Sequence, residues 1–177
     1  MTTANSPIGE AAQRELVITR VFEAPRELVW KAWTEPELFK QWWGPKIFKV
    51  PHISIDFRVG GKYLVCMQSE IGEESWKKGI WVTGVYKEIV PMERLVMTDS
   101  FSDEKGDVVP ATYYGMNANI PLEMLVTVTF EDYGQGQTRM TLKHEVIPTG
   151  EYSKGANQGW SESFDKLAEV LAARAHS

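Results

Sequence analysis

At 177 residues, the chain has the length of one domain and can bury a core without disulfide or metal staples. Its net charge of −5 argues against nucleic acid, whose phosphates demand a basic face, and its one cysteine, Cys66, excludes an internal disulfide framework. No apolar run approaches the ~18 residues needed to span a bilayer.

Residues 1–13 lack the basic start and apolar centre of a secretory signal, so they read as a disordered lead-in to a single domain over 14–174. A cytoplasmic location is expected. Residues 16–22 are rich in β-branched side chains and predict a strand. Pro25 then opens a helix at a first-turn position, where its missing N–H costs nothing. Leu28, Val29, Ala32 and Trp33 supply its inner face. Thr34 is placed to cap a second short helix and Glu37 to close a capping box. Leu38, Phe39 and Trp42 are its apolar side, and Gly44-Pro45 ends it.

From Ile47 to Val146 the period changes to two. Ile53, Ile55 and Phe57 alternate with Ser54, Asp56 and Arg58, and Tyr63, Val65 and Met67 continue beyond a Gly60-Gly61 turn. Further strands are expected over 80–89, 95–101, 123–131 and 138–146. Turns at Gly72-Glu-Glu, Pro91-Met-Glu-Arg94 and Gly134-Gln-Gly136 separate them, the pattern of an antiparallel meander. Gly84, inside a strand, marks a bulge or a close approach by another element. Residues 102–122 are too long for a hairpin turn and too apolar at Tyr113, Tyr114 and Met116 for a linker, and read as a lid. The last stretch, 149–173, becomes an amphipathic helix from Trp160 onward. Ala156, Trp160, Phe164, Leu167, Ala168 and Leu171 form one stripe. The sum is an α+β fold: a curved antiparallel sheet of about six or seven strands wrapped round a long C-terminal helix, with two short helices after strand one.

Five motifs occur in order: Trp42-Trp-Gly-Pro45, Asp56-Phe-Arg-Val-Gly-Gly61, Gly84-Val-Tyr-Lys-Glu-Ile-Val-Pro-Met-Glu-Arg-Leu-Val96, Thr141-Leu-Lys-His144 and Gly155-Ala-Asn-Gln-Gly-Trp160. Together they resemble the SRPBCC (START/Bet v 1-like) superfamily. They resemble most its branch related to the activator of heat-shock-protein-90 ATPase, which includes calicheamicin-resistance-type proteins. The resemblance implies a helix-grip domain with a cavity between sheet and helix. It implies little about chemistry, because fold is not function.

The chain has no phosphate-binding glycine loop, HExxH, nucleophile elbow or CxxC, so an enzymatic role has no recognisable apparatus. No metal or cofactor is expected. His144 shares its alternation with Met140 and Leu142 and should point inward, as a hydrogen-bonded core residue or as a ligand contact. Trp160 is expected to anchor helix to sheet and to border the ligand. Trp43, Phe57, Tyr63, Trp81, Tyr113, Tyr114 and Met116 are candidates for a cavity wall or mouth. Gly155 and Gly159 suggest a helix backbone approached closely, by the sheet before a ligand.

The function expected is binding of a hydrophobic or aromatic small molecule between sheet and helix, gated by 102–122. One alternative is a cyclase- or hydrolase-like enzyme in which His144, Tyr114 or Glu123 moves protons. The other is a co-chaperone-like module with a chaperone or other protein partner, which would show an exposed apolar patch and no cavity. No nucleic-acid or membrane partner is expected, and the assembly would be a monomer or homodimer.

Overall fold

The computed structural model describes residues 13–148 and 151–175. The expected lead-in therefore lies outside the described residues, apart from Gln13. In chain order the elements are β1 (Gln13–Phe22), α1 (Arg26–Thr34), α2 (Pro36–Phe39), β2 (Lys49–Ile55), β3 (Lys62–Gln68), α3 (Glu74–Lys78), β4 (Ile80–Val90) and β5 (Arg94–Ser102). A 3-10 turn (Ala111–Tyr114), β6 (Met124–Gly134), β7 (Gln137–Pro148) and α4 (Glu151–Ala175) complete the chain.

The strands form one antiparallel sheet in the order β1-β7-β6-β5-β4-β3-β2, so the first strand crosses over to pair with the last. Register shifts at Arg14/Leu16, Lys49/His52, Tyr86/Glu88 and Asp132/Gly134 add local twist. The sheet curls into a half-barrel around α4, the helix-grip arrangement. At Gly84 a Cβ would run into the Thr98 carbonyl and the Tyr63 ring. Only a bare backbone lets Tyr63 cross β4 and donate its hydroxyl to that carbonyl at 2.8 Å.

α4 buries Trp160, Phe164, Leu167 and Leu171 against the concave face. At about 1.5–3 kcal/mol each, four such side chains hold the helix to the sheet. Ala168, expected in the stripe, is exposed; Ser163 is buried in the stripe and Val170 packs beside it. Ser163 can be buried because its hydroxyl donates to the Gly159 carbonyl at 2.9 Å. Lys166 is half-buried, and its ammonium donates to the carbonyls of Trp43, Pro45 and Phe48 at 3.4, 3.2 and 3.3 Å. Burial pulls that ammonium below the ordinary lysine value.

The helix starts also differ from expectation. Pro25 is the N-cap of α1, not its first-turn residue. Thr34 ends α1 instead of capping α2; Glu35 caps α2 without a side-chain bond, and Glu37 pairs with Lys40 at 3.0 Å. Pro36 cannot donate an N–H, so the start of α2 has one fewer group for a capping box to satisfy. Cys66 is a small buried residue whose thiol is pushed up by desolvation, in line with a structural role. Asp56 and Arg58 form an exposed strand-end pair at 3.0 Å.

Candidate functional site: a cavity between sheet and helix

A cavity of about 390 Å³ lies between the first half of α4 and the curled sheet. Several elements build its wall. The bend after α2 supplies Trp43, Pro45 and Phe48. The inward phases of the strands supply Met67, Ile80, Val82, Asp99, Phe101, Met124 and His144, with Trp76 of α3 beside them. α4 supplies Tyr152, Gly155, Ala156, Gly159, Trp160 and Ser163. Met116 reaches the wall from the 102–122 segment.

Local sequence explains the opening. Between Glu151 and Trp160 the helix presents two glycines and an alanine where, further along, Phe164 and Leu167 fill the grip. A Cβ at Gly155 would meet nothing within 4 Å, and one at Gly159 would make ordinary contact with Pro45 at 3.5 Å. The expectation that the sheet crowds Gly155 is therefore corrected: the helix backbone there faces space.

Of the nine residues anticipated as ligand contacts, the fold brings Trp43, Met116, His144 and Trp160 to this cavity and places the other five elsewhere. Phe57 packs at the other end of the core, edge-on to Trp30 and Tyr86. Tyr63 is buried behind the wall, edge-on to Trp43, with its hydroxyl committed to Thr98. Trp81 belongs to the opposite phase of β4 from Ile80 and Val82, and its ring lies 5.3 Å from that of His52. Tyr113 is 60% exposed. Tyr114 is buried but already partnered: it donates to the Ser102 carbonyl at 2.5 Å and accepts the Trp81 N–H at 3.0 Å.

Asp99 and Tyr152 are wall residues that the sequence reading missed. Asp99 had a signal, since Leu95, Met97, Asp99 and Phe101 share one phase of β5 and an acid there interrupts an apolar row. Tyr152 lies two helical turns before Trp160, on the backward extension of the same stripe through Ala156.

The polar groups are few and specific. Trp160 Nε1–H donates to His144 Nδ1 at 3.1 Å. With Nδ1 acting as acceptor, the neutral ring carries its proton on Nε2. His144 is only 2% exposed, and its Nε2 has no hydrogen-bond partner among the described residues. Asp99 Oδ2 lies 3.3 Å from Nε2 but is not in line to accept its hydrogen bond. Trp43 Nε1–H is likewise buried without a partner. By contrast, Trp33 donates to Met140 Sδ at 3.2 Å and Trp42 to the Ala32 carbonyl at 2.9 Å. Burial and the Asp99 charge push the Tyr152 phenol up, so it stays protonated at neutral pH. Among the described residues no group of three or more His, Cys, Asp or Glu side chains could hold a metal ion. No described helix is long and apolar enough to cross a membrane.

Solved structures share this architecture. A protein from Chromobacterium violaceum is 26% identical, with a TM-score of 0.71, over 89% of this chain and 96% of that one. One from Arthrobacter aurescens is 24% identical, with a TM-score of 0.71, over 90% of this chain and 86% of that one. The AHSA1 protein from Silicibacter pomeroyi is 23% identical, with a TM-score of 0.69, over 90% of this chain and 99% of that one. No curated protein matches the sequence. The family model described as activator of Hsp90 ATPase homolog 1-like protein matches residues 23–172, nearly the whole chain, and the protein therefore belongs to that family, as its motifs implied.

Proposed function

We propose that the protein binds a hydrophobic or aromatic small molecule in the cavity between sheet and C-terminal helix, with the 102–122 segment gating access. Family membership supports a ligand-binding domain in general terms. The observation that carries the finer reading is a mainly apolar cavity of about 390 Å³ whose wall residues Trp43 and His144 each hold a buried N–H donor without a partner among the described residues. Ligand sites commonly measure ~300–1,000 Å³ and combine apolar walls with a few fixed polar groups. The gate is built from Met116 at the wall and Tyr114 behind it, whose two hydrogen bonds tie the segment to β4 and β5.

Two observations weigh against the alternatives. For proton transfer, the Tyr114 hydroxyl is fully engaged and Glu123 is exposed away from the cavity, leaving His144 without the companions that reading named. The interaction-module reading expects no internal cavity.

The experiment is a thermal-shift screen with neutral aromatic compounds on the wild type and on Gly155→Leu, whose side chain would project into open space at the wall. Binders should raise the melting temperature of the wild type and lose most of that effect in the variant. A screen without shifts in the wild type, or with equal shifts in both proteins, would refute the reading.

A further inference from the structure

We propose that His144 and Asp99 together form a hydroxyl-recognition pair, so that the cavity selects neutral hydroxylated aromatics over plain hydrocarbons and over carboxylates. The inference rests on the ligand-binding reading above and names the chemistry of its ligand.

The first observation is the fixed tautomer of His144. Trp160 donates to Nδ1, which leaves Nε2–H as a buried donor on a wall residue, with no hydrogen-bond partner among the described residues. Leaving such a group unsatisfied is costly, so a ligand oxygen that accepts from it is favoured. The second is Asp99. Its carboxylate also lines the cavity, 3.3 Å from Nε2, and can only accept hydrogen bonds when ionised.

A donor and an acceptor this close define what fits between them. An oxygen about 2.8 Å from both atoms lies within hydrogen-bond distance of each. A hydroxyl there accepts from His144 and donates to Asp99. A carbonyl or ether can only accept, and faces the Asp99 oxygens without a proton to offer. A carboxylate meets the Asp99 charge directly. Among the described residues no lysine or arginine lines the cavity to offset that repulsion, and the ammonium of Lys166 donates to backbone carbonyls of the neighbouring bend. The Trp43 Nε1–H, the second unpartnered donor, can serve another oxygen on the same ligand.

The test is isothermal titration of the full chain with four probes of one shape: naphthalene, its methyl ether, naphthol and naphthoate. The wild type should bind naphthol at least about fivefold more tightly than naphthalene, the affinity ratio of one net hydrogen bond. The methyl ether should fall below naphthol, and naphthoate should bind most weakly. Asp99→Asn should bring naphthol within about twofold of the methyl ether and restore naphthoate to the level of naphthalene. If Asp99→Asn does not fold, the wild-type ranking alone decides. Equal binding of naphthalene, ether and naphthol would overturn the hydroxyl pair while leaving the cavity reading intact, and so would naphthoate binding tightest. Failure of all four probes to bind would overturn both.

Discussion

Replacing Gly155 with alanine should make the protein more stable, for two reasons. The residue sits inside a 25-residue helix, where glycine is about 1 kcal/mol less favourable than alanine. A Cβ built there meets no heavy atom within 4 Å, so no steric term opposes the gain. For a domain of this size, 1 kcal/mol corresponds to a rise of about 2–4 °C in melting temperature. Differential scanning calorimetry on the two proteins measures it. Equal or lower stability of Gly155→Ala would mean that the position is crowded in solution, and the open wall described above would be wrong. A positive result has a functional meaning: the chain forgoes available helix stability at the residues that keep the cavity open.

Two other substitutions should behave differently. Gly84→Ala should destabilise by about 1–3 kcal/mol, the usual cost of overpacking, because its Cβ would meet the Thr98 carbonyl and the Tyr63 ring; a urea unfolding curve with an unchanged midpoint would contradict this. Glu162 accepts from the Lys46 backbone N–H at 2.9 Å and from Gln158 at 3.0 Å, and these bonds, the Lys46 one foremost, hold its carboxyl below the ordinary glutamate value of 4.5. A depressed carboxyl contributes stability that is complete above the unfolded value and lost as pH falls through the folded one. The difference in melting temperature between wild type and Glu162→Ala should thus be constant near neutrality and change progressively below pH 4.5, in the direction of relative loss for the wild type; a pH-independent difference would refute the link.

The sheet was legible because its strands alternate cleanly and glycine turns separate them, as at Gly60-Gly61 and around Gly134–Gly136. One helix was not: α3 spans only Glu74–Lys78, too short for a helical period to show. In α4 the stripe already included Ala156, while Gly155, Asn157 and Gly159, of low propensity, weakened the amphipathic pattern before Trp160.

The site was legible only in part, for a different reason. Residue type singled out the aromatics, but the phase of each strand decides which side chains enter the grip. Trp81 is on the wrong side of β4 while its plain neighbours Ile80 and Val82 are on the right one. Large rings also fill space: Trp33, Trp42 and Phe164 close the core where they gather, and the opening lies where the helix carries glycine and alanine. His144 was found because both type and phase pointed inward. Its tautomer and the nearness of Asp99, two strands away across β6, depend on tertiary contacts that the order of residues does not spell out.

In the proposed function, a small apolar molecule enters between sheet and helix. Methionine methyl NMR tests it most directly, because three of the seven methionines (Met67, Met116 and Met124) line the cavity. Met92 and Met140 do not line it, and Met140 is fully buried beside Trp33. On titration with naphthol, the methyl signals of Met67, Met116 and Met124 should shift together and saturate, while those of Met92 and Met140 stay in place. Saturable shifts confined to Met92 and Met140, or no shifts at all, would contradict the account.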